Sequence, residues 1–310
     1  MTCDRCSADE VIFQRYSGRR LCGDHFIQLF EKRFKKELRN QRMWSGTKFG
    51  KVGVALSGGK DSTSLLHLLS DLRIDLCAIS VDEGIKDYRD KSLEKGVKTC
   101  LELEINYYTY SFCDEFSISL DEMVKRSGLK PCDVCGVLRR SLLNEVSLSL
   151  GLSHLCLAHN LDDVSQTILM NVATGNLLKV ARLPPHRKVG GMVPRLAPLQ
   201  IFPEKEVYLY AMLKGFDFHS GECPYAKSDV RNLYREAIHR LEDKNPGLGY
   251  GLLRTMWDMK KGRRDLDQTI SLCPSCGMPR SDGRALCRRC EILCDLGVQL
   301  ANDRGERPPR

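Results

Sequence analysis

Lys51-Val52-Gly53-Val54-Ala55-Leu56-Ser57-Gly58-Gly59-Lys60-Asp61-Ser62 joins a buried-strand pattern to a glycine turn and then, without a gap, to a helix. Val52, Val54 and Leu56 supply the apolar run of an inner parallel strand, and Leu65, Leu66, Leu68, Leu69 and Leu72 follow at helical spacing. Gly58 and Gly59 carry no Cβ, so successive backbone N–H groups and the positive start of the helix can surround phosphate oxygens. Lys60 adds charge there, and Ser57 and Ser62 add hydroxyl donors.

A Walker A loop is excluded, because the residue five places before Gly59 is Val54 and the one after Lys60 is Asp61. The six residues Ser57 to Ser62 instead resemble the SGGxDS loop of the PP-loop ATP pyrophosphatases, with Lys60 in the variable place. That resemblance implies a site that holds the pyrophosphate end of ATP and adenylates a carbonyl oxygen.

Outward from this loop the pattern alternates as a doubly wound parallel α/β sheet requires. Strands are expected over residues 75–81 and 105–110, and helices over 88–102 and 115–127. A second acidic tip, Asp82-Glu83-Gly84, ends the second strand, and ligands of parallel sheets bind beyond the carboxyl ends of strands. Residues 155–158 read as another strand, followed by His159-Asn160-Leu161-Asp162-Asp163 and a helix over 164–174. Asp162 is expected to cap that helix, and Asp163 is balanced between capping and function. The proline-rich stretch from Pro184 to Pro203 is expected as an extended loop bordering the site, with helices over 204–214 and 230–243 beyond it. Arg231, Arg235 and Arg240 on the latter meet phosphates or line a solvated face.

The 310 residues are 42% hydrophobic and 28% charged, with a net charge of +8, which bounds a globular chain with a modest bias toward a polyanionic partner. There is no run of 18 apolar residues and no signal-peptide core, so no membrane span and a cytoplasmic, reducing location are expected. Fifteen cysteines in such a compartment point to metal rather than disulfides. Cys3-x2-Cys6 with Cys22-x2-His25 has the two-knuckle spacing of a tetrahedral structural zinc, and so has Cys273-x2-Cys276 with Cys287-x2-Cys290, a zinc ribbon. Residues 1–25 are too poor in apolar side chains to fold alone, whereas zinc contributes on the order of 10–16 kcal/mol to such modules. A helix over 26–43 carries Lys32, Arg33, Lys35, Lys36, Arg39 and Arg42 against a stripe of Phe26, Leu29, Phe30, Phe34 and Leu38. Lys260, Lys261, Arg263, Arg264, Arg280, Arg284, Arg288 and Arg289 put basic charge at the other end too.

Cys132-x2-Cys135, read as preceding a helix over 137–150, has three readings: half a zinc site, a redox pair, or part of an iron–sulfur site. Each end module closes its own set of four, which leaves Cys223 as the further cysteine that stands out. Three thiolates on a [4Fe–4S] cluster would leave one iron without a protein ligand. Cys77, Cys100, Cys113 and Cys156 read as buried small apolar residues. The segmentation expected is a zinc finger at 1–26, a basic linker helix at 27–50, a PP-loop domain at 51–225, a helical extension at 226–268, a ribbon at 269–295 and a polar tail at 296–310.

Together these motifs resemble the TtuA and cytosolic tRNA 2-thiouridine synthetase family over nearly the whole chain. The resemblance implies nucleotide contacts at Ser57, Gly58, Gly59, Lys60, Asp61, Ser62, Val81, Arg139, Ala158 and Asp163. It implies a [4Fe–4S] cluster on Cys132, Cys135 and Cys223, which with Asp163 form the catalytic set, and zinc modules that help grip tRNA. Two departures stand out: Ala158 replaces a common glycine, and Arg139 often a lysine, so that this position could hold phosphate but not transfer a proton. The implied reaction uses ATP and Mg²⁺ to adenylate the C2 oxygen of a uridine, at position 34 or in the T-loop at 54, before sulfur displaces AMP. The sulfur is held on the open iron or, alternatively, as a persulfide on Cys132 or Cys223. A ubiquitin-like thiocarboxylate carrier or inorganic sulfide supplies it, and a homodimer is implied. Two other classes compete, an amide-forming PP-loop ligase and a non-catalytic RNA-binding zinc protein.

Overall fold

The computed structural model describes residues 1–186, 190–226, 230–262, 271–280 and 283–298. Arg263, Arg264 and the tail from residue 299 onward lie outside them. The first cysteines are carried by an antiparallel hairpin, β1 (Ile12–Gln14) and β2 (Arg19–Leu21), which runs straight into α1 (Gly23–Ser45). This helix starts earlier than its apolar stripe suggests, because Cys22 takes the extended N-cap conformation and Asp24 complements the helix start. It stops at Gly46, whose φ of 69° is left-handed. Its Phe26, Phe30 and Phe34 are buried in one apolar cluster with strand and helix residues of the phosphate-loop unit, such as Val52, Val54 and Leu65. Phe30 stacks on Tyr210 at 4.4 Å between ring centroids. At roughly 1.5–3 kcal/mol for each fully buried phenylalanine, the stripe contributes on the order of 5–9 kcal/mol as an upper bound.

Five parallel strands form the central sheet: β3 (Val52–Ala55), β4 (Leu76–Asp82), β5 (Asn106–Ser111), β6 (His154–Cys156) and β7 (Arg195–Leu196), in the order β5-β4-β3-β6-β7. The chain steps outward from β3 to β5 and then returns to the other side of β3, so the strand order reverses between β3 and β6. That reversal opens a crevice beyond the carboxyl ends of the central strands. β7 arises within the stretch expected as a loop, where Leu155 N–H donates to Pro194 O and extends the sheet by one short edge strand.

The connecting helices are α2 (Lys60–Ser70), α3 (Arg89–Glu102), α4 (Phe112–Phe116), α5 (Leu120–Ser127) and α6 (Pro131–Ser149). One helix expected over 115–127 is two, because Ser117 turns left-handed at φ 58° and Ser119 then makes a capping box with Glu122. α6 begins six residues before the expected start, with Pro131 in its first turn, so Cys132 and Cys135 ride on the helix itself. α7 (Leu161–Ala173), α8 (Leu177–Ala181), α9 (Glu204–Leu213), α10 (Arg231–Lys244) and α11 (Leu248–Gly262) follow, with α10 and α11 packed on α7. The C-terminal cysteines sit on a hairpin, β8 (Ser271–Leu272) and β9 (Pro279–Arg280), and on α12 (Arg288–Asp295), whose Ile292 and Leu293 join the apolar cluster of α6. Cys77, Cys100 and Cys156 are buried as expected, but Cys113 is exposed, since it falls on the outer side of the short α4. Among the described residues no helix is long and apolar enough to cross a membrane.

Candidate nucleotide and metal site

A cleft of about 900 Å³ lies beyond the carboxyl ends of β3, β4 and β6. Ser57, Gly59, Asp61 and Ser62 line it from the glycine turn, Val81 and Glu83 from the tip of β4, and Ala158 and Asp163 from the tip of β6. The turn is braced from within: Ser57 N–H donates to Ser62 Oγ at 3.1 Å, and the two hydroxyls are 3.0 Å apart. Gly58 does not line the cleft. It has a φ of 81°, and a Cβ there would stand 1.9 Å from Ser92 O, so its glycine is required by the close approach of α3. Gly59 is less confined, with Ser57 Oγ at 3.6 Å as the nearest atom to an added Cβ.

Lys60 turns sideways to ion-pair with Asp61 at 3.1 Å and Glu204 at 2.7 Å, and Arg235 pairs with Glu204 behind it. Asp61 keeps one oxygen, Oδ1, buried and without a partner among the described residues. Burial, and after Lys60's opposing charge the neighbouring Asp163, push its carboxyl up to about 6. Asp163 is likewise raised, by desolvation first. Two carboxylates that resist sharing a site, one with an orphan oxygen, fit the oxygen-ligand chemistry of a divalent cation such as magnesium. Asp162, expected to cap its own helix, does not, and Asp163, balanced between capping and function, does. Asp163 closes a capping box with Asn160 in its own helix, whereas Asp162 Oδ2 accepts Glu204 N–H at 2.7 Å and caps α9.

Glu83 and Arg89, whose roles the sequence did not reveal, tie the turn to the cysteine helix. Arg89 donates to Ser57 O at 2.9 Å and to Val81 O at 2.8 Å, and its Nε lies 2.9 Å from the buried Glu83 carboxylate. Glu83 also pairs at 3.3 Å with Arg139, one turn beyond Cys135 on α6. Burial pushes the Cys135 thiol up to about 11, with Arg139 opposing and Glu83 and Cys223 adding to the rise. Cys135 and Cys223 pack against the same apolar cluster, and Cys132 Sγ approaches Tyr225 O at 3.9 Å. The three sulfurs do not all lie within 4.8 Å of one another, so they are not arranged as ligands of a single ion. Cys223 is held near the glycine turn by its own segment: His219 N–H donates to Gly58 O at 2.8 Å, and Asp217 pairs with Lys95 at 2.7 Å.

At the ends, Cys3, Cys6, Cys22 and His25, and separately Cys273, Cys276, Cys287 and Cys290, each bring four ligand atoms within 4.8 Å of one another. Sulfur pairs stand at 3.7 Å for Cys6 and Cys22 and 3.5 Å for Cys276 and Cys287, and Nδ1 of His25 lies 3.3 Å from Cys22 Sγ. A tetrahedral zinc with bonds of about 2.3 Å to sulfur and ~2.1 Å to nitrogen would set those edges near ~3.8 and ~3.5 Å, so both donor sets fit it. Beside the first set a basic groove of about 500 Å³ runs between Arg5 and Arg19 of the knuckle and Lys32 and Lys36 of α1. Arg33 lines that groove as well, but its charge is taken by the buried Glu206 at 3.2 Å.

The family described as PP-loop domain matches residues 28–242, and the family described as 2-thiouridine synthetase TtuA, N-terminal LIM domain, matches residues 2–27. The chain is 35% identical to the tRNA 2-thiolation protein NcsA of Haloferax volcanii, over 94% of this chain and 98% of that one. It is 31% identical to the cytoplasmic tRNA 2-thiolation protein 1 of Xenopus laevis, over 96% and 89%. The solved structure of the U34-tRNA thiolase NcsA from Methanococcus maripaludis with its [4Fe-4S] cluster superposes with a TM-score of 0.82 at 33% identity, covering 96% of this chain and 97% of that one. With the phosphate turn, the cleft and the two terminal cysteine sets all in place, the chain belongs to the PP-loop tRNA 2-thiolation family.

Proposed function

We propose that this chain replaces the C2 oxygen of a tRNA uridine with sulfur at the expense of ATP. The observation that carries this reading is the single network from Ser57 through Arg89 and Glu83 to Arg139, which sets the phosphate turn and the cysteine helix against one cleft. In the proposed reaction the backbone of residues 57–62 and the Ser57 and Ser62 hydroxyls receive the departing pyrophosphate, and Asp61 and Asp163 would hold a magnesium ion, which when bound supplies positive charge to balance it. Arg139 stands at the cleft wall as a fixed cation for phosphate, since a guanidinium does not exchange protons at neutral pH. Val81 and Ala158 give the nucleotide an apolar rest. Cys132, Cys135 and Cys223 would hold a [4Fe–4S] cluster, which when bound supplies an iron free of protein ligands at which sulfur can be presented. The two terminal cysteine sets would each hold a zinc ion, which when bound ties that end of the chain together.

Similarity to a U34-tRNA thiolase favours the wobble uridine. Family resemblance alone supports a thiocarboxylate carrier or inorganic sulfide as the sulfur source and a homodimeric state. The cytoplasm as workplace follows the name of the Xenopus relative. The test is nucleoside mass spectrometry of tRNA from cells lacking the protein, mapped to position and complemented with the wild type or Cys223→Ser. Loss of 2-thiouridine at position 34, restored only by the wild type, is expected; unchanged 2-thiouridine in the deleted strain rejects the reading. Anaerobic preparations are expected to carry iron and acid-labile sulfide that Cys223→Ser lacks.

A further inference from the structure

The wall of the cleft beside β6 and β7 holds arginines that no carboxylate among the described residues neutralises. Arg139, Arg235 and Arg289 each find a carboxylate, in Glu83, Glu204 and Glu145. Arg140, Arg182 and Arg195 line the same cleft, and among the described residues none of them has a carboxylate within 4.0 Å. Nε of Arg182 and Nε of Arg195 are buried without a hydrogen-bond partner among the described residues. Arg195 is fixed by its strand position opposite Leu155 and by one bond, from its Nη2 to Arg140 O at 3.1 Å, which stacks one cationic residue on the backbone of another. Desolvation and then the Arg140 charge pull Arg195 down to about 10, and His159 at the cleft rim is held near 4 by desolvation and by four arginines. Like charges are gathered here against their mutual repulsion, which a folded chain tolerates where a ligand supplies the missing anion.

We propose that Arg140, Arg182 and Arg195 form a phosphodiester-binding subsite that receives the backbone of the substrate RNA next to the uridine being activated. The proposal rests on the thiolation reading. The phosphates of the nucleotide have their own donors in the turn at residues 57–62, whereas Arg195 stands on the edge strand, two strands away from β3. From there the wall continues to Pro279 and Arg280 of the C-terminal cysteine hairpin, which line the same cleft. A strand of RNA laid from that hairpin toward the turn would cross the three arginines, whose planar forks match phosphate oxygens two at a time. The sequence hides this site because its members come from α6, the end of α8 and a strand inside a proline-rich stretch.

The test uses the full chain, anaerobically prepared and metal-replete, as Arg140→Gln, Arg182→Gln and Arg195→Gln. Binding of unmodified tRNA is read by anisotropy over a range of salt, binding of a non-hydrolysable ATP analogue separately, and melting with and without inorganic phosphate. Each variant is expected to bind tRNA roughly tenfold more weakly or worse, as removal of a charge-assisted bond implies. The slope of log affinity against log salt should fall by about 1 per arginine. Nucleotide affinity should not change, and Arg195→Gln should melt at or above the wild-type temperature because an unneutralised cation is gone. Unchanged tRNA affinity and salt slope in all three variants overturns the subsite, and so does a loss confined to the nucleotide. Should the wild type bind no tRNA while phosphate raises its melting point but not that of Arg195→Gln, the anion site stands and the RNA reading falls.

Discussion

Replacing Glu206 by alanine would unpick the joint between the first cysteine module and the sheet. Its carboxylate is fully buried and accepts from Gln14 Nε2 at 2.9 Å and Tyr16 OH at 2.7 Å, with Arg33 Nη1 at 3.2 Å. Those three come from β1, the hairpin turn and α1, while Glu206 itself lies on α9. Each bond to a charged acceptor is worth about 1.5–3 kcal/mol, but simple addition overshoots here, because Arg33 keeps Ile201 O at 2.9 Å and Tyr250 OH at 3.0 Å. The governing quantity is the cost of leaving a largely buried guanidinium without its counter-charge, about 3–5 kcal/mol. Burial pushes the Glu206 carboxyl up even beside Arg33, so desolvation outweighs attraction for that carboxyl, although not for the Arg33 guanidinium. An apolar pair, Arg33→Met with Glu206→Leu, is therefore expected to return to within about 2 kcal/mol of the wild type, the remainder being the acceptor that Gln14 and Tyr16 still lose. Urea unfolding of zinc-replete protein, followed by far-ultraviolet circular dichroism, measures all three. A loss below about 1 kcal/mol for Glu206→Ala, or a double variant no better than the single one, would refute the reasoning.

Gly58→Ala forces a side chain into left-handed backbone, at about 1–2 kcal/mol, and into the carbonyl of Ser92, so α3 must shift and ATP affinity measured by calorimetry should fall at least tenfold. His154 is buried, with Ser45 Oγ 3.0 Å from its Nε2, and burial lowers it to about 4. The unfolded chain takes up that proton near pH 6.5 and the folded one only near pH 4, so its contribution to stability is complete above pH 6.5 and lost as pH falls toward 4. At 1.36 kcal/mol per pH unit the loss approaches about 3 kcal/mol, and the difference between wild type and His154→Gln in unfolding free energy should shrink by that amount between pH 7 and pH 4. Metal analysis is expected to find two zinc ions per chain in the wild type and one in Cys276→Ser; two in the variant would remove that cysteine from the ligand set.

The glycine turn, the sheet class and both terminal cysteine sets were legible because each is written locally, in spacings of two to four residues or in one strand, turn and helix. Pro131 at a first helical turn was a readable signal that the cysteine pair lies on α6, and its weight was missed. The role of Asp162 was not readable, since it caps a helix that starts at Glu204, forty-two residues later. The same distance problem hid Glu83 with Arg139, the bond from His219 to Gly58, and the cations around Arg195. A periodicity reports which face of an element is buried, but not which charges another element brings to meet it.

Twenty-three residues of unbroken helix connect the first knuckle to the floor of the sheet, a shaft of about 34 Å at 1.5 Å per residue. Its first turn is capped by a knuckle cysteine and its middle is clamped by Phe202 and Tyr210, so no hinge separates the two. Whatever seats in the groove of Arg5, Arg19, Lys32 and Lys36 is thereby held at a fixed offset from the phosphate turn, as between the jaws of a calliper. An anion long enough to span both would be gauged for length and bend by the protein's own rigidity.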